Sequence, residues 1–232
     1  MSSRQEEKQR RREERLAREK AEKAKVARKK RLQFAMFGVG GIAVIAVAAV
    51  LISGAGGGND EVEAQNPTAD VELPQQEIGD LDAAAEAAGC KVSSPEIEGA
   101  QHEDRRFTAD DYKTNPPTSG THTPDWYDDG VYATGDVPEL GMLVHTLEHG
   151  RINVQYKPGT PAETVTQLEA LLAEQEDGYH MLLYENTTGM DAAVAASAWG
   201  QLVTCDKMSP QVFDVLRTFR QQYIDQGPED VP

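Results

Sequence analysis

The chain has 232 residues, enough for one ordinary domain with appendages, and a formal net charge of −16 that conceals a sharp division. Residues 1–31 carry 14 Lys/Arg against 6 Asp/Glu, whereas the remainder carries 9 against 33. With only two cysteines and no CxxC spacing, the composition excludes a disulfide-dense scaffold and a thiol oxidoreductase of the usual kind.

The basic segment alternates acids and bases at helical spacing, with Glu6/Arg10, Glu7/Arg11, Glu14/Arg18 and Glu19/Lys23 as favourable i,i+4 pairs. It has almost no apolar face and no aromatic residue interleaved among its charges, so it reads as a solvated basic arm. Contact with anionic lipid headgroups suits it; nucleic acid does not. From Leu32 to Asn59 no residue is charged, and Phe34–Ile52 is almost wholly apolar or small. Nineteen helical residues rise about 28 Å, close to the hydrocarbon thickness of a bilayer. The preceding Arg28-Lys29-Lys30-Arg31 places the amino terminus in the cytoplasm by the positive-inside rule. A cleaved signal peptide is the rival reading, because Ser53-Gly54-Ala55 resembles a cleavage site, but the apolar run and the basic segment are both too long for one. No lipobox cysteine precedes the domain. The expected organisation is therefore a cytoplasmic arm (1–31), a single transmembrane helix (32–53), a flexible acidic linker (54–77) and an extracytoplasmic α+β domain (78–228) on the cell membrane. Cys90 and Cys205 lie in an oxidising compartment in this reading, and their parity predicts one disulfide.

Within the domain, Asp80–Ala88 is alanine-rich and predicts a short helix with Gly89 at its C-cap. Residues 93–137 are loop-like and hold Asn115-Pro116-Pro117-Thr118-Ser119-Gly120-Thr121-His122, whose Pro-Pro and Ser-Gly steps are turn punctuation. A loop of this length in a compact domain is functional or disordered, and the nearby His122, Trp126, Tyr127 and Tyr132 argue for function. Pro138 opens a helix to His149 with Gly150 as cap; Leu140, Leu143, Val144 and Leu147 form its apolar stripe. Arg151–Tyr156 alternates as a strand. Thr160-Pro161-Ala162-Glu163 reads as a capping box ahead of a helix faced by Val165, Leu168 and Leu172. His180–Tyr184 and Ala193–Trp199 predict two more strands. Ser209-Pro210 starts a last helix striped by Val212, Val215, Leu216 and Phe219 and ended by Gly227-Pro228. This order predicts a small domain with a mostly antiparallel sheet and flanking helices. Asn186-Thr187-Thr188 is a formal glycosylation sequon.

The chemistry concentrates in Leu143-Val144-His145-Thr146-Leu147-Glu148-His149-Gly150. His145 and His149 stand about one turn apart and project from one face, roughly 140–180° from the apolar stripe. They therefore look into solvent or a second layer, for which the Pro-rich loop is the candidate. One reading is a metal site in which His122 joins His145 and His149, with Met142 or water in the fourth position and Glu148 or His102 as further ligand or orienting partner. Imidazole donors suit copper or zinc.

Two readings compete. The HxxEH order also matches a zinc hydrolase pattern in which Glu148 is the general base, but that pattern needs a downstream glutamate, and Glu169, Glu174 and Glu176 are not singled out by spacing. Alternatively the domain is a non-enzymatic accessory subunit docking onto a membrane protein complex through Trp126, Tyr127 and Tyr132. An exposed aromatic cluster would favour docking, and convergence of His122 on the helix pair would favour metal. Ser119 lacks the GxSxG elbow, and no feature identifies a small-molecule substrate.

Residues 112–158 resemble a bacterial membrane-anchored family, domain of unknown function 3105. The resemblance is carried by Pro116-Pro117-Thr118-Ser119-Gly120-x-His122, Gly130-Val131-Tyr132 and the His145/Glu148/His149 motif, with weaker likeness at His102, Ala198-Trp199-Gly200 and Pro228-Glu229. It implies a single-pass anchor with an extracytoplasmic domain and carries no activity with it.

Overall fold

A computed structural model of the chain describes residues 62–69, 71–136, 139–175 and 178–229. The expected arm, the membrane span and the start of the linker lie outside the described residues. Among those described, no helix is long and apolar enough to cross a membrane.

The compact unit begins at Val62, ahead of the expected start at 78. Residues 62–77 are tied to the domain by hydrogen bonds. Gln65 exchanges two backbone bonds with Val131, Thr68 and Ala69 donate to Glu169, and Glu77 and Ile78 donate to the Asp214 carboxylate. The acidic, proline-containing composition suggested a linker, but its backbone groups find partners on the domain instead of water.

The elements are α1 (Leu81–Ala88), β1 (Cys90–Ser93), β2 (Gly130–Val131), α2 (Leu140–Glu148), β3 (Ile152–Tyr156), α3 (Ala162–Ala173), β4 (Met181–Glu185), β5 (Val194–Ala198), β6 (Gln201–Cys205) and α4 (Pro210–Tyr223). The α+β class is as expected. The sheet is mixed, with strand order β1-β6-β5-β3-β4-β2. Its β1–β6, β6–β5 and β5–β3 pairings are antiparallel, while β3–β4 and β4–β2 are parallel. The expected antiparallel character holds for three of the five pairings; at β3–α3–β4 a strand, a crossover helix and a strand returning to the same sheet run parallel, which makes the sheet mixed. Strands β3 and β4 are buried on both faces, as parallel central strands are.

Period-two alternation divides the sheet's side chains between two layers. One set, including Ile152, Val154, Met181, Leu183, Ala196 and Val203, packs with α1, α3 and α4 in the main core. The other set faces α2, with Leu182 and Tyr184 against Leu143 and Tyr132. The predicted stripe of α4 is fully inside this core. Helix α1 starts where expected, with the Asp80 carboxylate accepting from Ala83 N–H, and ends at Gly89 in the left-handed conformation.

Two local expectations fail. No capping box forms at α3, because Thr160 donates its hydroxyl to the Lys157 carbonyl. Helix α4 ends at Tyr223, short of Gly227. The sequon Asn186 is buried and donates its amide to Gln155 and Thr188, so it is a turn-forming residue in the folded domain.

Cys90 and Cys205 are bonded, and they stand opposite each other in the β1–β6 register. The bridge closes a separation of 115 residues and pins the edge strand β1 to the sheet. Replacing both cysteines by serine is expected to lower unfolding free energy by about 2–4 kcal/mol, measured by urea unfolding of the oxidised wild type against the variant.

Candidate metal centre

Helix α2 is short and buried nearly all round: Leu143, Val144 and Leu147 face the sheet side and neighbouring loops, and His145, Thr146 and Glu148 are equally buried. The second layer over its polar face is the Pro-rich loop. Gly141 makes that approach possible, since a Cβ there would lie 2.6 Å from the Phe107 ring and 3.0 Å from the Thr123 methyl. At the other end Gly150 follows the cap residue His149 with φ +78°, a conformation suited to glycine, and a Cβ there would meet the Asp225 backbone at 2.8 Å.

Two strips of loop run side by side over the helix. His122 N–H donates to the Gln101 carbonyl and Glu103 N–H to the His122 carbonyl, an isolated parallel bridge that sets His102 next to His122. The turn before it depends on Gly120 (φ +125°), where a Cβ would touch the Tyr112 ring at 3.0 Å. Tyr112 in turn donates its hydroxyl to the Thr121 carbonyl. The Gly120 carbonyl accepts from His122 Nδ1 at 2.8 Å, and the Thr123 carbonyl accepts from His145 Nδ1 at 2.8 Å. Since a carbonyl can only accept, Nδ1 of both rings carries a proton, which leaves Nε2 as the atom turned toward Glu148, in the case of His122 within hydrogen-bond distance of Oε2.

These nitrogens converge. The ring centroids of His102, His122 and His145 stand 4.7 Å apart in all three pairs. Glu148 Oε2 lies 2.9 Å from His122 Nε2, 3.3 Å from His102 Nε2 and 4.0 Å from His145 Nε2. One ligand atom from each of the four residues lies within 4.8 Å of the others. Neighbouring donors of a tetrahedral zinc site with bonds of about 2.0–2.1 Å are about 3.3 Å apart, so the widest separations here would close by about 1 Å on forming a coordination shell. His122, His145 and Glu148 are almost wholly buried, while the His102 side chain is 38% exposed and forms the open side.

His149 does not join that group. It forms a second one with His145 and Glu229, its Nε2 3.4 Å from Glu229 Oε2. The anticipated trio of His122, His145 and His149 is therefore split: His102 and Glu148 stand with His122 and His145, and His149 stands apart beside the C-terminal segment. Trp126 packs edge-on against both His145 and His149, at 5.3 and 4.6 Å between centroids.

Other sequence candidates are assigned elsewhere by the fold. Glu169 accepts from Thr68 and Ala69, and Glu174 pairs with Arg217 and Arg220, so neither reaches the histidines; Glu176 lies outside the described residues. Ser119 is buried with its Oγ accepting from Glu98 N–H, and both His122 nitrogens face other groups, so the two form no nucleophilic dyad. Trp126 and Tyr132 are buried, which removes the exposed aromatic cluster that would have favoured docking.

The chain matches the family described as Protein of unknown function (DUF3105) over residues 105–231. It belongs to that family. No curated protein and no solved structure matches it. The matched stretch of the DUF3105 family takes in His122, His145, Glu148, His149 and Glu229 and begins just after His102.

In the sequence His102 stands alone in a charged loop 20 residues before His122; only the parallel bridge brings the two together. Glu229 carried no signal beyond its place next to Pro228.

Burial, followed by the neighbouring His122 and His102, pushes the His145 pKa down to about 3; burial, followed by His145 and Arg151, pushes His149 down to about 2. The unfolded chain takes up these protons near pH 6.5, so it binds more protons than the folded chain below that value, and stability falls as pH drops from about 6.5 toward the folded pKa values. Unfolded carboxylates titrate nearer pH 4, so the interval from pH 7 to 5 isolates the histidines, among them His180, whose pKa burial also lowers. Metal-free protein is expected to lose urea-unfolding midpoint between pH 7 and 5, and His149→Gln to shrink that loss.

Proposed function

We propose that this chain is a membrane-anchored protein whose extracytoplasmic domain binds one divalent transition-metal ion, zinc or copper, through His102, His122, His145 and Glu148. One observation carries the reading. Two backbone carbonyls fix Nδ1–H on His122 and His145, and the freed Nε2 atoms, with that of His102, are turned toward one carboxylate oxygen. A proton satisfies one such contact, as in the 2.9 Å hydrogen bond between His122 and Glu148, and a cation placed among the three nitrogens and the oxygen satisfies all of them at once. Backbone carbonyls orienting imidazoles from behind are the outer shell that metal-ligating histidines use.

Three nitrogen donors and one oxygen suit zinc in a tetrahedral shell, and they suit copper(II) with an added water on the exposed His102 side. Glu148 acts as ligand, not as the general base of a hydrolase. The anchor is the apolar 32–53 segment, with the basic arm inside and the domain outside.

Full-length protein purified in detergent after expression with zinc or copper is expected to carry one ion per chain by inductively coupled plasma mass spectrometry. Glu148→Gln and His145→Ala should each lower metal affinity by roughly tenfold or more. Absence of both metals from the wild type, with no uptake on titration, would rule the reading out.

A further inference from the structure

Beside the four-residue cluster lies an arrangement that the single site does not use. The chain leaving α4 folds back over the end of α2 as a strap. Asp225 N–H donates to the Gly150 carbonyl at 2.9 Å and Glu229 N–H to the Glu148 carbonyl at 3.1 Å. His180 Nδ1 lies 2.6 Å from the Asp225 carboxylate. Gly227 crosses directly over α2, where a Cβ would collide with the Glu148 carbonyl and the Gly150 nitrogen. The strap thus holds the Glu229 carboxylate beside His149, with its side chain 46% exposed.

His149 is the anomaly there. Its side chain is 2% exposed, its Nδ1 has no hydrogen-bond partner among the described residues, and its Nε2 has only the 3.4 Å contact with Glu229. A buried polar group left this way is destabilising, so such groups call for a role. His145 leans toward it: the His145–His149 centroid distance, 4.4 Å, is shorter than the 4.7 Å to His102 or His122, and His145 Nε2 is the farthest of the three from Glu148.

We propose that His145, His149 and Glu229 form a second station for the same metal ion, so that the ion moves between a His102/His122/Glu148 side and a His149/Glu229 side while His145 stays bound. Rotation along α2 supports this. Relative to His145, Glu148 sits about 60° to one side and His149 about 40° to the other, so one histidine lies between two ligand sets. Because His145 Nδ1 is committed to the Thr123 carbonyl, only its other nitrogen can serve an ion, and it serves one at a time. The two stations are therefore alternatives for one ion, not halves of a two-metal centre. Each has its own opening, His102 on one side and Glu229 on the other, which fits a domain that receives an ion at one face and yields it at the other. The proposal rests on the metal-binding reading above.

The test uses full-length protein in detergent titrated with zinc(II) and with copper(II), with affinity read by chelator competition. Wild type is expected to bind one ion. His102→Ala/Glu148→Gln, which weakens the first station through one partly exposed residue and one isosteric change, should still bind one ion, roughly tenfold or more weakly. Adding Glu229→Gln to that background should cost roughly a further tenfold. As Glu229 is half exposed, its substitution leaves the fold intact, and circular dichroism confirms this for each variant. Two ions per wild-type chain, or no effect of Glu229→Gln in the weakened background, overturns the second station. Those outcomes leave the first site standing, whereas a wild type that binds neither metal removes both.

Discussion

The structure turns on one buried carboxylate oxygen. Glu148 Oε2 is the point on which three imidazole nitrogens from three separate segments converge, and it is withdrawn from water at the end of a short helix. An uncompensated carboxylate in such a place would be costly, and an imidazole whose Nδ1 proton is given to a carbonyl meets it at Nε2 only through a second proton or a shared cation. The cluster must instead be resolved by protons or by a cation. Much around α2 keeps the convergence in place: Gly141 lets the loop approach, Gly120 turns His122 inward, and Gly150 lets the chain leave the helix sharply enough to enter β3.

The sheet supplies rigidity on the opposite side. Asn153 of β3 donates its amide to the Leu143 carbonyl, and Thr146 donates its hydroxyl toward both the Leu143 carbonyl and the Asn153 side chain, so α2 is bonded to the central strand beneath it. Buried Arg151, at the helix–strand junction, pairs with Asp129 at 2.8 Å, and Asp129 also accepts from His180 N–H. This links the junction to the segment that anchors the strap. The histidine–glutamate cluster therefore has a floor built from β3 and a roof built from loops. Ligands from the floor are fixed by helix geometry, and those from the roof by single backbone bonds.

What the sequence could reveal follows that division. Helical periodicity exposed the stripes of α2 and α4, because each repeats over enough residues to stand out, and the rotation of His145 away from Leu143, Val144 and Leu147 pointed to solvent or a second layer, of which the burial of His145 selects the second. Three of the six strands escaped notice for physical reasons. Strand β2 is two residues long and β1 four, while Gln201–Cys205 follows the Trp199-Gly200 turn so closely that its alternation merged with the preceding strand. The site was half legible for the same reason. Ligands on one helix announce themselves by spacing, whereas His102 and Glu229 depend on tertiary approach: one on an isolated bridge, the other on a strap crossing at Gly227.

The same helical arithmetic explains why HxxEH misleads here when read as a hydrolase. The motif offers His145 in the middle, Glu148 on one flank and His149 on the other, and a single ion beside the helix can engage His145 with only one flank at close range. A hydrolase uses both histidines as ligands, which leaves the glutamate free to take a proton from water. In this chain the loop carrying His102 and His122 lies on the Glu148 flank, so the glutamate faces those two histidines and the outer histidine is left to the strap. The order of letters is shared with a catalytic helix. The direction from which the neighbouring side chains arrive decides which of those letters they meet, and here they meet the glutamate.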